Sequence, residues 1–244
     1  MGEINKRIES GRLDHILRGW GHYTKQEIRR LVAQQRVTVN GQVCDIAGYD
    51  CPENSIICVD EVRLFPKPYI TLMMNKPAGY VCVNGDLRYK NITSLLKNEE
   101  YKTLFPVGRL DADTEGLIIL TNNGEISSRV AHPEHETEKK YYAEFTRRLD
   151  PDKICRVSKG IEYLGNTYKP AEIQVIDEKS CYVTVTEGKY HEVKRLVRFC
   201  GGFVTYLKRI SMGPLVLDKE LKKGEYRPLF EEELAKLKES TASK

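Results

Sequence analysis

Apolar positions near the start of the chain follow two helical patterns and then the alternation of a hairpin. In residues 12–21 (RLDHILRGWG) the apolar side chains share one face of a short helix. Residues 24–27 (TKQE) form a capping-box pattern, so a second helix is predicted to begin there. The following VTVNGQV contains Asn40-Gly41, a dipeptide typical of tight hairpin turns. The pattern predicts two helices followed by a small hairpin.

Beyond residue 69 the pattern is dominated by strands. Runs rich in β-branched and aromatic residues predict strands at ITLMMN, EGLIILT, EKKYYAEF, AEIQVID, CYVTVT and GFVTYLKRI. Helices are predicted at TSLLKN, GEISSRVAH, PDKICRVSKG and HEVKRLVRFC. Because strand runs adjoin one another toward the end of the chain, we expect a mixed, mostly antiparallel sheet. The predicted class is α+β, with a small N-terminal α/β module and a larger domain whose sheet is flanked by helices.

Residues 65–69 (FPKPY) separate these two patterns. Two prolines within five residues disfavour a helix or a central strand and indicate a linker. We therefore expect one domain over residues 1–64, a linker over 65–69 and a second domain over 70–244. A chain of 244 residues is long enough for both domains to have cores of their own.

The composition excludes several classes of protein. Hydrophobic residues make up 40% of the chain and charged residues 30%. No run approaches the roughly 18 apolar residues of a membrane-spanning helix. A transmembrane, collagen-like or disordered chain is therefore excluded. The first residues lack the apolar segment of a secretory signal, so we expect a cytoplasmic protein that does not act at a membrane.

The seven cysteines form no Cys-x-x-Cys pair, which disfavours a zinc ribbon or a thioredoxin-like site. Cys44, Cys51 and Cys58 are evenly spaced across a region of strands and turns. We interpret them as small buried hydrophobic residues in a reducing compartment. No metal site is predicted.

Basic residues are concentrated in two segments of a chain whose net charge is only +4. Residues 6–36 contain eight basic and three acidic side chains, and residues 189–209 contain six basic and one acidic. At 100° per residue, Lys25, Arg29 and Arg36 would lie within about 40° of one another on the second helix. One-signed patches of this kind favour a polyanion as partner. The alternative is a helix face that is basic only because it faces water.

The N-terminal pattern resembles the alpha-L RNA-binding module named after the small-subunit ribosomal protein S4. Residues 10–64 carry the resemblance, chiefly through RLD and TKQEIRRLVAQQRVTVNG. It implies that this module holds RNA through the basic helix.

The segment from Phe105 to Gly124 (FPVGRLDADTEGLIILTNNG) is the richest in candidate chemistry. Its acidic spacing resembles the start of a calcium loop, but position twelve is Asn122 where such a loop has a bidentate glutamate. LIILT also predicts a strand, whereas a calcium loop leads into a helix. A polar turn whose acids satisfy main-chain amides is the simpler alternative.

The same segment is similar to the central motif of the RsuA branch of pseudouridine synthases. The resemblance continues in MMNKPAGYVCVNG, in EKKYYAEF and in EGKYHEVKRLVRFCGGFVTYLKRISMGPLVL. Together these four ordered motifs cover residues 69–230. The resemblance implies an RNA-modifying enzyme that isomerises a uridine to pseudouridine and needs no cofactor or metal.

The partner implied is bacterial small-subunit ribosomal RNA, either free or within a partly assembled subunit, and we expect a monomer. Two alternatives stay open. The target could be a uridine of large-subunit ribosomal RNA. The chain could also be a non-catalytic RNA-binding or ribosome-assembly factor built on a synthase scaffold.

The motif implies that Asp111 is the catalytic carboxylate. Breaking the bond between ribose and uracil places positive charge on the sugar, which a carboxylate can stabilise or attack. Asp113 and Glu115 are its rivals, and we interpret them as supports of the local turn and loop. Whether Asp111 forms a sugar adduct or assists loss of a ribose proton stays open.

A carboxylate in a water-poor pocket needs a neighbouring cation to offset the cost of burying its charge. The matching position in the family implies Lys194, and Arg195 remains an alternative. The family also implies that Tyr141 stacks on the uracil and that its hydroxyl can move a proton.

Further RNA contacts are expected from basic residues of both domains. The resemblance implies that Arg109 fills the space left by an extruded base. In HEVKRLVRFC, apolar residues at i, i+3, i+4 and i+7 predict one buried face and one basic face. A basic face that is merely solvated is the alternative. The predicted RNA-binding residues are Arg109, Lys25, Arg29, Arg36, His191, Arg195 and Arg198.

Overall fold

The computed structural model describes residues 11–21, 23–65, 69–83 and 89–239. The chain divides into two compact units, Met1–Tyr69 and Ile70–Lys244. Residues 66–68, which hold both prolines of the expected linker, lie outside the described residues. None of the described helices is long and apolar enough to cross a lipid bilayer.

The first unit has two helices, α1 (Leu13–Gly21) and α2 (Lys25–Ala33). The predicted capping box is confirmed, because the Thr24 hydroxyl accepts the Glu27 amide and the Glu27 carboxylate accepts the Thr24 amide. The helices share an apolar core with a small sheet of order β3-β2-β5-β6. The strands of this unit are β1 (Gly11–Arg12), β2 (Val37–Val39), β3 (Gln42–Val43), β4 (Asp50–Cys51), β5 (Ile57–Val59) and β6 (Val62–Arg63).

The predicted hairpin is also confirmed, since β2 and β3 pair on either side of Asn40-Gly41. Both turn residues have positive φ, which asparagine and glycine tolerate best. Cys44 and Cys51 are buried as predicted, whereas Cys58 is half-buried, so that part of the cysteine prediction is wrong.

The predicted three-residue basic stripe on α2 is wrong at Arg36. The helix ends at Ala33, and Gln35 adopts a left-handed conformation with φ of 57°. Arg36 therefore follows the helix, and its Nε donates to the Asp60 carboxylate at 2.6 Å. Lys25 and Arg29 are exposed on α2 as expected.

The second unit is built on a mixed, mostly antiparallel sheet of order β15-β16-β12-β17-β11-β7-β19, with β10 beside β11 and β18 beside β17. Only the β11–β17 pair of this sheet, among the described residues, is parallel. The strands are β7 (Thr71–Lys76), β8 (Tyr80–Val81), β9 (Lys90–Asn91), β10 (Phe105–Val107), β11 (Glu115–Thr121), β12 (Lys139–Phe145), β13 (Ile161–Tyr163), β14 (Asn166–Tyr168), β15 (Glu172–Val175), β16 (Ser180–Val185), β17 (Val204–Met212), β18 (Leu215–Val216) and β19 (Tyr226–Pro228).

The central strands are apolar on both faces because both faces of the sheet are covered. Every residue of β7 and β11 is buried. Along β11, Ile118 and Leu120 belong to one apolar cluster, whereas Leu117 and Ile119 belong to a second. The period of two in strand side chains thus explains the unbroken apolar run.

Three of the four predicted helices are present: α3 (Gly124–Ala131), α4 (Pro151–Val157) and α5 (Glu192–Phe199). The prediction at TSLLKN is wrong, because that segment holds only a 3₁₀ turn, Ile92–Leu95, next to another at Glu99–Thr103. A further 3₁₀ turn spans Pro133–His135, and α6 (Glu231–Glu239) closes the described chain. The α+β prediction is confirmed.

Candidate active site

Asp111 lies in the loop between β10 and β11, and hydrogen bonds from a buried lysine hold this loop in place. Lys76, at the end of β7, is 0% exposed. Its ammonium donates to the main-chain oxygens of Asp111 at 3.0 Å, Thr114 at 2.8 Å and Pro77 at 3.1 Å. The amide of Thr114 also donates to the Asp111 carbonyl at 3.1 Å, which closes a turn. These bonds fix the backbone that carries Asp111.

Burial disfavours the charged form of Lys76 and lowers its pKa to about 8. The Lys76 ammonium donates its hydrogen bonds to main-chain carbonyl oxygens, so the residue positions the loop that carries Asp111. Sequence reasoning missed this residue. Its signal was a lysine directly after the apolar run of a predicted strand, in the stretch MMNKP.

The loop passes into β11 through Gly116, which adopts φ of 100°. A Cβ atom there would lie 2.2 Å from the carbonyl oxygen of Arg209 on the parallel neighbour β17. Only glycine permits both this conformation and this approach.

Lys194 meets the carboxylate of Asp111. Its Nζ lies 2.9 Å from Asp111 Oδ2 and 2.6 Å from Asp113 Oδ1. His191 Nε2 lies 3.5 Å from the same Asp111 oxygen, which places two basic side chains of the 191–194 segment on one carboxylate. Arg195 instead donates to the Tyr168 hydroxyl at 3.0 Å. The geometry therefore pairs Lys194, and not Arg195, with Asp111.

Helix α5 presents these side chains because it begins at Glu192, directly after His191, whose backbone is left-handed with φ of 54°. Val193, Leu196 and Val197 are buried in the main core, as the spacing predicted. Lys194 consequently faces away from the core, toward the loop that carries Asp111.

Electrostatic coupling at the site has identifiable causes. Burial opposes the charge on Lys194, but its hydrogen bonds to Asp113 and Asp111 outweigh burial and raise its pKa. Burial likewise disfavours the charge on Asp113, but the bond from Lys194 outweighs it and lowers the pKa of that carboxyl. The neighbouring Glu192 is buried, and burial raises its pKa to about 7.

The interpretation of Asp113 and Glu115 as turn supports changes in both cases. Asp113 is an exposed partner of Lys194. Glu115 is the first residue of β11, where it accepts a hydrogen bond from the Tyr206 hydroxyl at 2.8 Å and pairs with Lys223 at 2.7 Å. Its carboxylate is therefore already occupied within the sheet.

Asp111 and Lys194 share a pocket with two other predicted residues, Arg109 and Tyr141. Tyr141 is buried on β12, whereas its neighbour Tyr142 is partly exposed on the opposite face. Arg109 is exposed at the pocket. The other lining residues are Leu110, Thr114, Val185, Gly188, Lys189, His191, Glu192, Val193 and Leu207.

The Thr114 hydroxyl is buried and has no hydrogen-bond partner among the described residues. It lines the same pocket and was also missed by sequence reasoning. Within the described ranges, no group of three or more histidine, cysteine or acidic side chains is arranged to hold a metal ion.

The remaining predicted RNA-binding residues fall into separate places. Lys25 and Arg29 lie on α2 of the first unit, and Arg36 is engaged by Asp60. Arg198 is exposed at the end of α5, with its guanidinium carbon 3.6 Å from the centroid of the Phe203 ring. It is not among the residues that line the Asp111 pocket.

Comparison with known proteins agrees with this fold. The sequence pattern of the RNA pseudouridylate synthase family matches residues 70–198, and that of the S4 domain matches residues 11–57. The chain therefore belongs to the RNA pseudouridine synthase family. More particularly, it is a pseudouridine synthase that carries an S4 domain, and its similarity to the RsuA branch is confirmed.

Two relatives match over almost their whole length. A Bacillus subtilis protein named as an uncharacterized RNA pseudouridine synthase is 36% identical over 95% of this chain and 100% of its own. The ribosomal small subunit pseudouridine synthase A of Vibrio cholerae is 36% identical over 93% of this chain and 99% of its own. A crystal structure of a pseudouridylate synthase superposes with a TM-score of 0.69 and 31% identity, covering 93% of this chain and 99% of that one.

Proposed function

We propose that this protein converts a uridine of small-subunit ribosomal RNA to pseudouridine, with Asp111 as the catalytic carboxylate. The observation that carries the proposal is the Lys194 ammonium 2.9 Å from Asp111 Oδ2, in a pocket that Tyr141 also lines. Small-subunit RNA is favoured because relatives such as the Vibrio cholerae protein are named for that substrate. Such an enzyme would work in the bacterial cytoplasm, where that RNA is made.

The reaction moves one base within one nucleotide, so its atoms balance without a second substrate. The bond between ribose C1′ and uracil N1 breaks, the base turns and carbon 5 joins C1′. The proton on carbon 5 leaves to solvent or a base, and N1 takes up a proton from solvent or an acid, so no proton is gained or lost overall. Positive charge develops on the sugar as the first bond breaks, and Asp111 stabilises this charge or attacks it. Both routes need an anionic oxygen at the same place.

Lys194 stabilises that anion before the substrate enters. The side chain of Asp111 is about one-third exposed, so solvent reaches its carboxylate. Bound RNA would exclude that solvent. The attraction between the Lys194 ammonium and the carboxylate becomes stronger when water leaves, because the local dielectric constant falls. His191, at 3.5 Å, adds a second basic group on the same carboxylate.

Tyr141 and Arg109 fit the handling of a flipped base. A stacked uridine must leave its helix before an enzyme can reach its glycosidic bond. The buried ring of Tyr141 offers a stacking surface inside the pocket, and the exposed Arg109 at the pocket can occupy the gap left in the RNA.

Pseudouridine mapping in ribosomal RNA tests this proposal. Cells lacking the gene should lose one pseudouridine of small-subunit RNA, the wild-type gene should restore it, and Asp111→Asn should not. Loss of a large-subunit pseudouridine would move the target to that RNA. If no pseudouridine is lost while subunit assembly fails, and Asp111→Asn restores assembly, the chain is a non-catalytic assembly factor.

A further inference from the structure

Arginines without acidic partners collect at the far end of α5. Some arginines of the described chain, namely Arg12, Arg36, Arg129 and Arg227, are held by described carboxylates, whereas others, such as Arg29 and Arg109, are not. Four of the arginines with no described carboxylate within 4.0 Å of a basic nitrogen lie near this end, namely Arg147, Arg148, Arg156 and Arg198.

Main-chain hydrogen bonds bring these arginines together from three elements. After β12, the amide of Thr146 donates to the Phe203 carbonyl at 3.0 Å, and the amide of Asp150 donates to the Cys200 carbonyl at 2.9 Å. The loop with Arg147 and Arg148 is thus fastened to the turn that follows α5. Helix α4 joins the group through Arg156, whose guanidinium carbon lies near the ring of Phe199 on α5.

Two aromatic rings lie among the arginines. The guanidinium carbon of Arg198 is 3.6 Å from the Phe203 ring centroid, and that of Arg147 is 5.5 Å from it. Arg156 lies 5.1 Å from the ring centroid of Phe199, the last residue of α5. Phe203 itself is 42% exposed, so part of its ring is open to a partner. We call Arg147, Arg148, Arg156, Arg198 and Phe203 the Phe203 surface.

The chemistry of this surface matches single-stranded nucleic acid. An exposed ring accepts any base by stacking, and guanidinium groups beside it bind phosphates and extend the stack. An acidic protein would satisfy the charges but would gain nothing particular from the ring. Arg198 follows Lys194 by four residues on α5. It therefore lies about 6 Å along the helix and about 40° around it from Lys194, toward the same side of the helix as the Asp111 site.

We propose that the Phe203 surface binds the single-stranded RNA next to the target uridine, with one base stacked on Phe203 and the adjoining phosphates held by Arg147 and Arg148. This inference rests on the proposed function, since it assigns part of the substrate of the same site. It extends the RNA contacts beyond Arg195 and Arg198 to α4 and to the loop after β12.

The test measures binding of a fluorescent twelve-nucleotide oligouridylate to the full chain across a range of salt concentrations. Arg147→Gln with Arg148→Gln should weaken binding about tenfold and reduce the slope of log affinity against log salt by about 1.4, at roughly 0.7 per phosphate contact. Phe203→Leu should weaken binding about tenfold with little change in slope, because stacking is not ionic. Phe203→Tyr should bind within about threefold of wild type, since its ring still stacks.

Lys219→Gln with Lys236→Gln is the matched control, because it removes the same charge from exposed positions elsewhere in the second unit. Its affinity should stay within about twofold of wild type, because long-range charge effects are screened by salt. Unfolding temperatures of all variants identify any that have lost structure. In single-turnover kinetics on small-subunit ribosomal RNA, the double arginine variant and Phe203→Leu should each show a raised half-saturating concentration and an unchanged saturating rate.

Two results would overturn the inference. One is oligouridylate binding that survives both the arginine and the Phe203→Leu variants. The other result uses polyglutamate as a second, acidic probe. If the arginine variant loses polyglutamate binding and RNA binding equally, and Phe203→Leu affects neither, the surface binds acidic protein. Wild-type protein that makes no pseudouridine would refute the proposed function instead, and the oligouridylate measurements would still decide this inference.

Discussion

Lys194 places its ammonium 2.9 Å from the Asp111 carboxylate across 83 residues of sequence. The same ammonium also lies on Asp113, so one cation serves two neighbouring acids. The two acids differ in exposure, since the side chain of Asp111 is 30% exposed and that of Asp113 is 72% exposed. This difference separates a pocket carboxylate from a surface carboxylate and makes the two residues a matched pair for mutation.

Asp111→Asn should reduce pseudouridine formation to below about a tenth of the wild-type rate, because charge stabilisation of this kind contributes several kcal/mol. RNA affinity should stay within severalfold, since the shape of the side chain is kept. Asp113→Asn should keep most of the activity. Single-turnover product assays and filter binding measure both quantities, and an active Asp111→Asn protein alongside an inactive Asp113→Asn protein would transfer the role to Asp113.

Lys76 makes activity and stability respond to pH in opposite directions. Its pKa is about 8 in the folded chain and near 10.5 when unfolded. Between these values the unfolded state binds more protons, so the contribution of Lys76 to stability rises with pH. The neutral amine has one N–H fewer with which to hold the Asp111 loop, so the single-turnover rate should fall above pH 8.

This prediction is checked by rates and denaturation midpoints at pH 7 and pH 9.5. Lys76→Met provides the comparison, because it lacks the titrating group and should be slow at both pH values. From pH 7 to 9.5 the wild-type rate should therefore fall while the contribution of residue 76 to stability rises, and Lys76→Met should show neither change. A wild-type rate that is flat from pH 7 to 9.5 would show that charge on Lys76 does not position the loop.

Because Arg36 lies outside α2, its substitution should have a different effect from substitution of Lys25 and Arg29, with which the sequence pattern had grouped it. Lys25→Gln with Arg29→Gln should flatten the salt dependence of RNA binding by roughly 0.7 to 0.9 per lost phosphate contact, with no change in melting. Arg36→Gln should instead destabilise the first unit slightly, because it breaks the pair with Asp60. Titrations in potassium chloride and thermal melts distinguish these outcomes, and equal salt slopes would place Arg36 back among the RNA contacts.

Residues 70–244 should fold and react without residues 1–69, since each unit has its own apolar core. The shortened protein keeps the Asp111 pocket but loses Lys25 and Arg29. Its half-saturating concentration on ribosomal RNA should rise about tenfold or more through lost phosphate contacts, with little change in the saturating rate. A collapse of the saturating rate at unchanged affinity would mean that the first unit helps to build the active site.

Local patterns were predictable because the interactions behind them are local. The capping box of Thr24 and Glu27 and the Asn40-Gly41 turn span at most four residues. The end of α2 was not predictable in the same way. Helix periodicity would allow the helix to reach Arg36, but the left-handed Gln35 and the bond from Arg36 to Asp60, 24 residues away, stop it earlier.

The same reasoning applies to the site. Motif resemblance implied Asp111 and Lys194, but only the fold distinguishes Lys194 from Arg195, because two adjacent helix positions point about 100° apart. The clamp by Lys76 joins residues 35 apart through main-chain oxygens, which have no sequence signature. Glu115 looked like part of an acidic turn until the sheet placed Tyr206 and Lys223 beside it.

The order of strands in the catalytic sheet also sets an order of events during synthesis. Strand β7 pairs with β11 and with β19, so its second edge stays open until residues 226–228 are available. The first unit needs no residue beyond position 69 for its core. Because domains fold as they emerge from the ribosome, the RNA-binding unit can be complete while β17, β19 and α5 are still unmade. The growing chain could therefore hold RNA before it is able to modify it.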